Sequence, residues 1–215
     1  MRAHLNKPFS EFHFCVGDET IPIFNDSRIM LPKHLIIPFI DDQSSLDTLI
    51  KSVFSDLTVF GPNLLLTVNK VILTTRNDFV HEINNVLISQ FPSLQHTYFS
   101  HDETVDISKQ AEHEDFLHSL ELPTLPPHEL ILKVNSPVIL LRNPREGLYN
   151  GTRLICLAFN GNVIHAMIAV GNHTGKEVFI PKISLQCSDP HVYTISFKRT
   201  QFPLKLYFVV TINKA

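Results

Sequence analysis

The sequence predicts an α/β protein in which a small antiparallel barrel interrupts a lobe built on a parallel sheet. Three observations predict it. Val71 to Asn84, VILTTRNDFVHEIN, reads as strand, tight polar turn and helix, the repeating unit of an α/β lobe. LYFVVTI, near the C-terminus, is a second apolar run that suits the same parallel sheet. Between them, PVILL and LICLAFNGNVIHAMIAVGNHTGKEVFIPKISL read as short consecutive strands punctuated by turn residues, the pattern of a small barrel.

Composition bounds the alternatives. A chain of 215 residues holds one large domain or two small ones. At 44% apolar and 18% charged it is globular in character. No apolar run approaches the ~20 residues of a membrane helix, and MRAHLNKPFSEF lacks the apolar core of a signal peptide. Cys15, Cys156 and Cys187 are isolated and odd in number, which favours a reducing compartment over a disulfide or zinc framework. The twelve histidines show no ligand spacing, so no metal is expected. The net charge of −3 conceals an asymmetry: residues 120–215 carry ten Lys or Arg against five Asp or Glu, while residues 1–119 carry eight against sixteen. The basic half favours a polyanionic partner.

The elements follow in order. FHFCVG, the Gly17-Asp18 turn and IPIF read as a short hairpin, and RIMLPKHLIIPFI, broken by Pro32 and Pro38, as an extended connector. Leu46, Leu49, Ile50, Val53, Phe54 and Leu57 lie on one face of a helix over 44–57, with Ser44 and Asp47 as its capping box. Leu64 to Leu66 starts a further apolar element after Gly61-Pro62. Asn77 is a candidate N-cap for a helix whose buried face holds Val80, Ile83 and Leu87. SKQAEHEDFLHS, 108–119, reads as a polar helix or connector. Asn160-Gly161 and Gly171 to Lys176 are hairpin turns. GNHTGKE is no phosphate loop: its glycines are too close, Glu177 follows the lysine, and a strand flanks it where a helix is required.

One loop carries chemistry. PVILLRNPREGLYNGTRL, Pro137 to Leu154, places Arg142, Arg145 and Arg153 with Tyr149 on a glycine-punctuated turn. Arginines suit phosphate oxygens and a tyrosine ring suits an unstacked base, although a merely solvated hairpin loop has the same look. Asn143 and Asn150, beside Pro144 and Gly151, serve the turn.

From Leu125 to Leu154, LPPHELILKVNSPVILLRNPREGLYNGTRL resembles the small barrel subdomain of Pif-type (petite integration frequency) ATP-dependent DNA helicases, especially those of Helitron transposons. Asn135 stands where that family usually has Gly, and because Asn tolerates left-handed backbone the turn is expected to survive. Ile72, Leu73, Asn77, Val80, Ile83 and Asn84 match the motif that opens the family's second motor lobe. TYFSHDETVD resembles the segment after that helix. FKRTQFPLKLYFVVTINKA is similar to the stretch that re-enters the lobe, and Gly17 to Glu19 with Ile29 to Pro32 loosely fits the passage between lobes.

The resemblance implies a partial RecA-like lobe with an inserted barrel of the Src-homology-three type. Residues 1–65 form the connector and helix, 66–119 and 198–215 the lobe, and 120–197 the barrel subdomain. It implies that the chain begins after a first motor lobe and ends before a glutamine-glycine-glutamine-threonine motif. Asn77, Thr211 and Lys214 are motif contacts by the same resemblance. Single-stranded DNA and the missing first lobe are the implied partners, and the nucleus the implied location. ATP and magnesium serve the complete family, but this sequence holds neither phosphate loop nor acidic pair, so no cofactor, catalytic residue or autonomous ATP hydrolysis is expected. A piece of a complete, active helicase and a protein-interaction adaptor using the acidic half are the alternatives.

Overall fold

The computed structural model describes residues 7–24, 28–54, 68–106, 108, 110–122, 124–144, 148–187 and 195–212. The chain divides into two compact units, Met1–Leu49 and Ile50–Ala215. In the first unit, helix α1 (Lys7–Gly17) precedes a two-residue hairpin of β1 (Ile23–Phe24) and β2 (Arg28–Ile29). The expected hairpin is therefore displaced, because FHFCVG is helical. Pro8 occupies the first turn, where its missing N–H is harmless, and no other breaker intervenes before Gly17. The end of α1 is tied by Asp18 N–H to Phe14 O at 2.8 Å and Thr20 N–H to Cys15 O at 3.0 Å. The proline-broken connector, residues 28–40, holds β2 at its start and a short 3-10 turn, Lys33–Leu35.

Helix α2 (Asp42–Val53) starts two residues earlier than its sequence signal. Asp41 caps it in place of the Ser44–Asp47 box. One carboxylate oxygen accepts Ser44 N–H at 2.8 Å and the other accepts Ser44 Oγ–H at 2.7 Å. That backbone N–H is the main reason the Asp41 carboxyl lies below its ordinary pKa. In the second unit, Ile50 and Phe54 are buried, and Phe54 meets Phe208 edge-on at 5.9 Å. Leu57 and the Leu64–Leu66 element lie outside the described residues.

The strands β3 (Ile72–Thr74) and β14 (Val209–Thr211) pair in parallel, with Val209 beside Ile72 and Thr211 beside Thr74. This is the pairing expected of the VILTT and LYFVVTI runs. Helix α3 (Asn77–Gln90) packs on the pair and buries Ile83, Leu87 and Ile88. Asn77 is its first residue and not its cap. Arg76 precedes the helix without a side-chain cap, since a guanidinium has no acceptor for the first N–H groups, and it pairs with Asp78. Asn84 interrupts the apolar face and is buried. Its Nδ2 donates to Val209 O at 3.0 Å, while its Oδ1 accepts from Phe208 N–H and Val209 N–H at 3.2 and 3.1 Å. Both backbone groups of Val209 are thereby satisfied by one amide that mimics a peptide bond.

The remaining elements are β4 (Gln95–Phe99), β5 (His101–Thr104), α4 (Gln110–Ser119), β6 (Glu129–Lys133), β7 (Pro137–Leu140), β8 (Arg153–Phe159), β9 (Val163–Ile168), β10 (Glu177–Pro181), β11 (Ile183–Cys187), β12 (Phe197–Gln201) and β13 (Leu204–Leu206). An antiparallel five-stranded sheet runs β10-β9-β8-β7-β13, beside a three-stranded sheet β11-β12-β5 and the pair β4-β6. Among the described residues these strands do not close into one hydrogen-bonded barrel. Alternation in β9 and β10 buries Ile164, Ala166, Ile168, Val178 and Ile180 against Leu130, Leu132, Val138, Leu154 and Phe202. Asn135 takes φ +71° between β6 and β7, so the turn survives without Gly. Gly171 and Gly175 take φ +96° and +87° between β9 and β10, where GNHTGKE forms a hairpin.

A buried ion pair joins the pieces. Arg199 on β12 donates to both oxygens of Asp102 on β5, at 2.8 and 2.6 Å, and both side chains are almost wholly shielded from solvent. The same guanidinium donates to Leu117 O at the end of α4 and to Pro126 O at 3.0 Å. Lys133, also buried, donates to Ser89 O and Phe91 O, satisfying carbonyls at the end of α3. Asp102→Asn leaves the buried guanidinium without its counter-charge. Urea denaturation should show a loss of about 3–5 kcal/mol, whereas the exposed Glu103→Gln should change stability by about 0.5 kcal/mol or less.

Candidate nucleic-acid interface

The second unit contains a cleft of about 630 Å³ where three distant stretches meet. Its walls include Asn77, His81 and Asn84 from α3, Val209 and Thr211 from β14, and Arg142 with Asn150 from the β7–β8 loop. Lys205 on β13 and Leu130 on β6 complete much of the rest. The lining is largely aliphatic, with amides, two cations and the carboxylates of Asp78, Glu121 and Glu129 among it. Such a surface can hold apolar groups by contact and bond phosphate or amide oxygens through its polar side chains.

The loop is fixed by its own hydrogen bonds. Gly151 N–H donates to Leu140 O at 2.8 Å, Thr152 Oγ–H to Tyr149 O at 2.7 Å, and Asn150 N–H to Asn143 Oδ1 at 2.6 Å. Asn143 therefore serves the turn, as its place beside Pro144 implies, while Asn150 also reaches the cleft wall. Gly151 needs its freedom here, with φ +86°.

The sequence-derived candidates separate into groups. Asn77, Thr211 and Arg142 line one cleft. Tyr149 stands at the same loop, 67% exposed, but not on the cleft wall. Arg153 is turned to another use: its guanidinium lies 4.7 Å from the ring centroid of the buried Tyr207. Arg145 and Lys214 lie outside the described residues. Lys205, His81 and Asn84 escaped attention as site residues. Asn84 follows Asn77 by two turns on one helix face, a spacing that signals a shared wall. Lys205 carried no comparable signal.

Charge in the cleft is divided. Arg142 and Lys205 supply cations, though Lys205 Nζ already donates to Leu122 O at 2.6 Å. Asp78 is held by Arg76, whose hydrogen bond is the main cause lowering its carboxyl pKa. His81 Nε2 lies 3.1 Å from Glu121 across the wall. A small pocket behind this pair is lined by His118 and His128, whose rings stack at 3.7 Å and 19°.

Asp102, His118 and His128 have ligand-type atoms within 4.8 Å of one another, but they do not suit a metal ion. Both Asp102 oxygens accept from Arg199, and the stacked imidazoles hold their lone pairs in two nearly parallel planes, which one ion cannot share. Ser100 Oγ–H donates to Asp102 at 3.1 Å and lies 2.9 Å from His128 Nδ1, so Nδ1 carries a proton and donates to the serine.

Residues 115–159 match the family model described as DNA helicase Pif1, 2B domain. No curated protein matches the chain. Among solved structures, Pif1 helicase from Candida albicans is similar over 80% of this chain and 45% of its own length, at 19% identity and TM-score 0.54. Bacteroides Pif1 in complex with ADP-AlF3 and single-stranded DNA is similar over 81% of this chain and 37% of its own, at 21% identity and TM-score 0.50. The chain thus spans less than half the length of these helicases, and the likeness is one of fold. Fold and matched segment together show an α/β protein whose architecture is similar to that of DNA helicases. The helicases it resembles are of the Pif1 type, and the segment that carries the resemblance, residues 115–159, matches the Pif1 2B domain.

Burial, more than the neighbouring His118, pushes the His128 pKa below 6.5, while Asp102 and Glu129 oppose the shift and Arg199 adds to it. The unfolded chain therefore binds the proton more readily. This contribution to stability is complete above the unfolded value of about 6.5 and is lost as pH falls through the folded value. Urea midpoints measured from pH 7.5 to 5 should fall with pH, and His128→Asn should flatten that dependence.

Proposed function

We propose that the chain is a nucleic-acid-binding part of a Pif-type DNA helicase and that its cleft holds a single DNA strand. The observation that carries this reading is the convergence of Asn77, Thr211 and Arg142, drawn from three separated stretches, on one wall system. In this reading residues 66–119 and 198–215 form a partial second RecA-like lobe, residues 120–197 form a barrel-type subdomain of the Src-homology-three kind, and residues 1–65 are connector. Aliphatic groups face the bases, amides fix the strand, and Arg142 with Lys205 meets phosphates. Glu121 and Glu129 limit the attraction, so binding is weak.

The chain supplies no ATP chemistry by itself. Holding a triphosphate and magnesium requires a phosphate loop and an acidic pair, and the sequence has neither. A second reading follows from length: because the chain spans less than half of the helicases it resembles, it serves as one piece of an active motor whose other parts bind ATP. Adding a first lobe in trans separates the two readings, since only the second gains DNA-dependent hydrolysis.

Anisotropy of a labelled single-stranded oligonucleotide, titrated at several salt concentrations, tests the interface. Arg142→Ala should weaken binding and reduce the log–log salt slope by about 0.7, one phosphate contact on a single strand. Lys176→Ala, in the β9–β10 turn, should leave affinity and slope unchanged. An unaltered slope in Arg142→Ala removes this cleft from the binding surface.

A second measurement addresses hydrolysis. Purified chain with single-stranded DNA, ATP and magnesium should release no phosphate above a no-protein control. Release that follows the protein peak through repurification would reveal a nucleotide site in this chain.

A further inference from the structure

The chain contains two Asn-Gly pairs, Asn150–Gly151 and Asn160–Gly161. A glycine after asparagine leaves its backbone nitrogen unhindered, because no Cβ stands between that nitrogen and the preceding side chain. Asn-Gly is therefore the dipeptide most open to attack of backbone nitrogen on the side-chain carbonyl. Sequence alone ranks the two pairs equally.

The structure separates them. Gly151 N–H is committed to Leu140 O at 2.8 Å, and its residue is held at φ +86° within a loop that Asn143 and Thr152 also tie down. To attack Asn150, the Gly151 nitrogen must first surrender that hydrogen bond. Gly161 N–H instead points at the amide oxygen of Asn160 itself, at 2.8 Å. That bond keeps the Gly161 nitrogen beside the side chain whose carbonyl carbon it would attack. Asn160 and Gly161 are exposed at the tip of the β8–β9 hairpin, and the space around the Gly161 Cα is open. Water and hydroxide reach the site freely.

We propose that Asn160 is a site of spontaneous deamidation through a succinimide, and that folding protects Asn150 from the same reaction. Gly161 N gives its proton to hydroxide and bonds to Asn160 Cγ. The Cγ–Nδ2 bond then breaks and the amide nitrogen leaves as ammonia. Water opens the five-membered ring at either carbonyl, giving aspartate or isoaspartate. One water is consumed, one ammonia is released, and nothing is oxidised or reduced. The product places a carboxylate at the hairpin tip. The isoaspartate form also lengthens the main chain at a turn now closed by Asn160 N–H to Val163 O at 3.0 Å and contacted by Tyr98 Oη at Asn160 O, 3.2 Å. The modification thus loosens the end of the β8–β9 register.

The test uses the whole purified chain, held at mildly alkaline pH with and without urea. Trypsin puts the two pairs in separate peptides, ending at Arg153 and Lys176, which are read by mass and by labelling with an isoaspartyl methyltransferase. In the folded chain Asn160 should convert faster than Asn150 by about fivefold or more, the factor set by one net hydrogen bond. In urea the two rates should converge, showing that the difference belongs to the fold. Asn160→Gln should remove the signal from its peptide and leave the Asn150 peptide unchanged. Equal folded-state rates, faster conversion at Asn150, or no conversion at Asn160 while the urea sample reacts would each overturn the proposal.

Discussion

Arg199 and Asp102 meet where no water can screen them, and four parts of the second unit are tied to that meeting. The two side chains sit on paired strands, β12 and β5, and the guanidinium also takes the carbonyl at the end of α4 and one in the segment leading to β6. A buried charge is tolerated only when its counter-charge and every donor are placed. The constraint is therefore geometric: once Arg199 enters, α4, β5 and the Pro126 segment must each present an acceptor to it. Packing alone would allow these elements to slide, and the fixed fork of the guanidinium does not.

The cleft inherits its shape from a second buried polar group. Asn84 bonds both backbone groups of Val209, which fixes β14 against α3 and brings Thr211 to the same wall as Asn77. On the facing side, β7 delivers Arg142 at its end, and the Asn143–Asn150 bond sets the course of the loop that follows. Each wall is held by amide-to-backbone bonds, so the rim groups are presented from ordered backbone.

The charges of the cleft are largely engaged by their neighbours. The basic half of the chain contributes cations to the cleft, yet Lys205 already donates to Leu122, and Arg153 is stacked on Tyr207. The acidic side of the cleft is similarly engaged, with Asp78 on Arg76 and Glu121 beside His81. Formal charge counted along the sequence therefore overstates the field that a polyanion meets, because neighbours and backbone carbonyls have taken part of each charge.

By itself the sequence determined the local elements and their order. The apolar alternation of β9 and β10, the helical face of α3 and the Asn160-Gly161 turn all follow from residues within a few positions of one another, while the left-handed Asn135 is expected from the family resemblance. The parallel pairing of β3 with β14 followed from two apolar runs of matching character. Tertiary structure decided the rest. α1 is a helix where the reading gave a strand, since short apolar runs do not distinguish the two periods. Arg153 lies over the ring of Tyr207, a partner far along the chain, and is not on the cleft wall. Asp102 and Arg199 stand 97 residues apart, and Asn84 and Val209 stand 125 apart. A charged or amide side chain is exposed by default, and only a partner brought from a distance reverses that expectation. Local periodicity carries no trace of such partners, and for that reason the ion pair and the cleft became legible only in the folded chain.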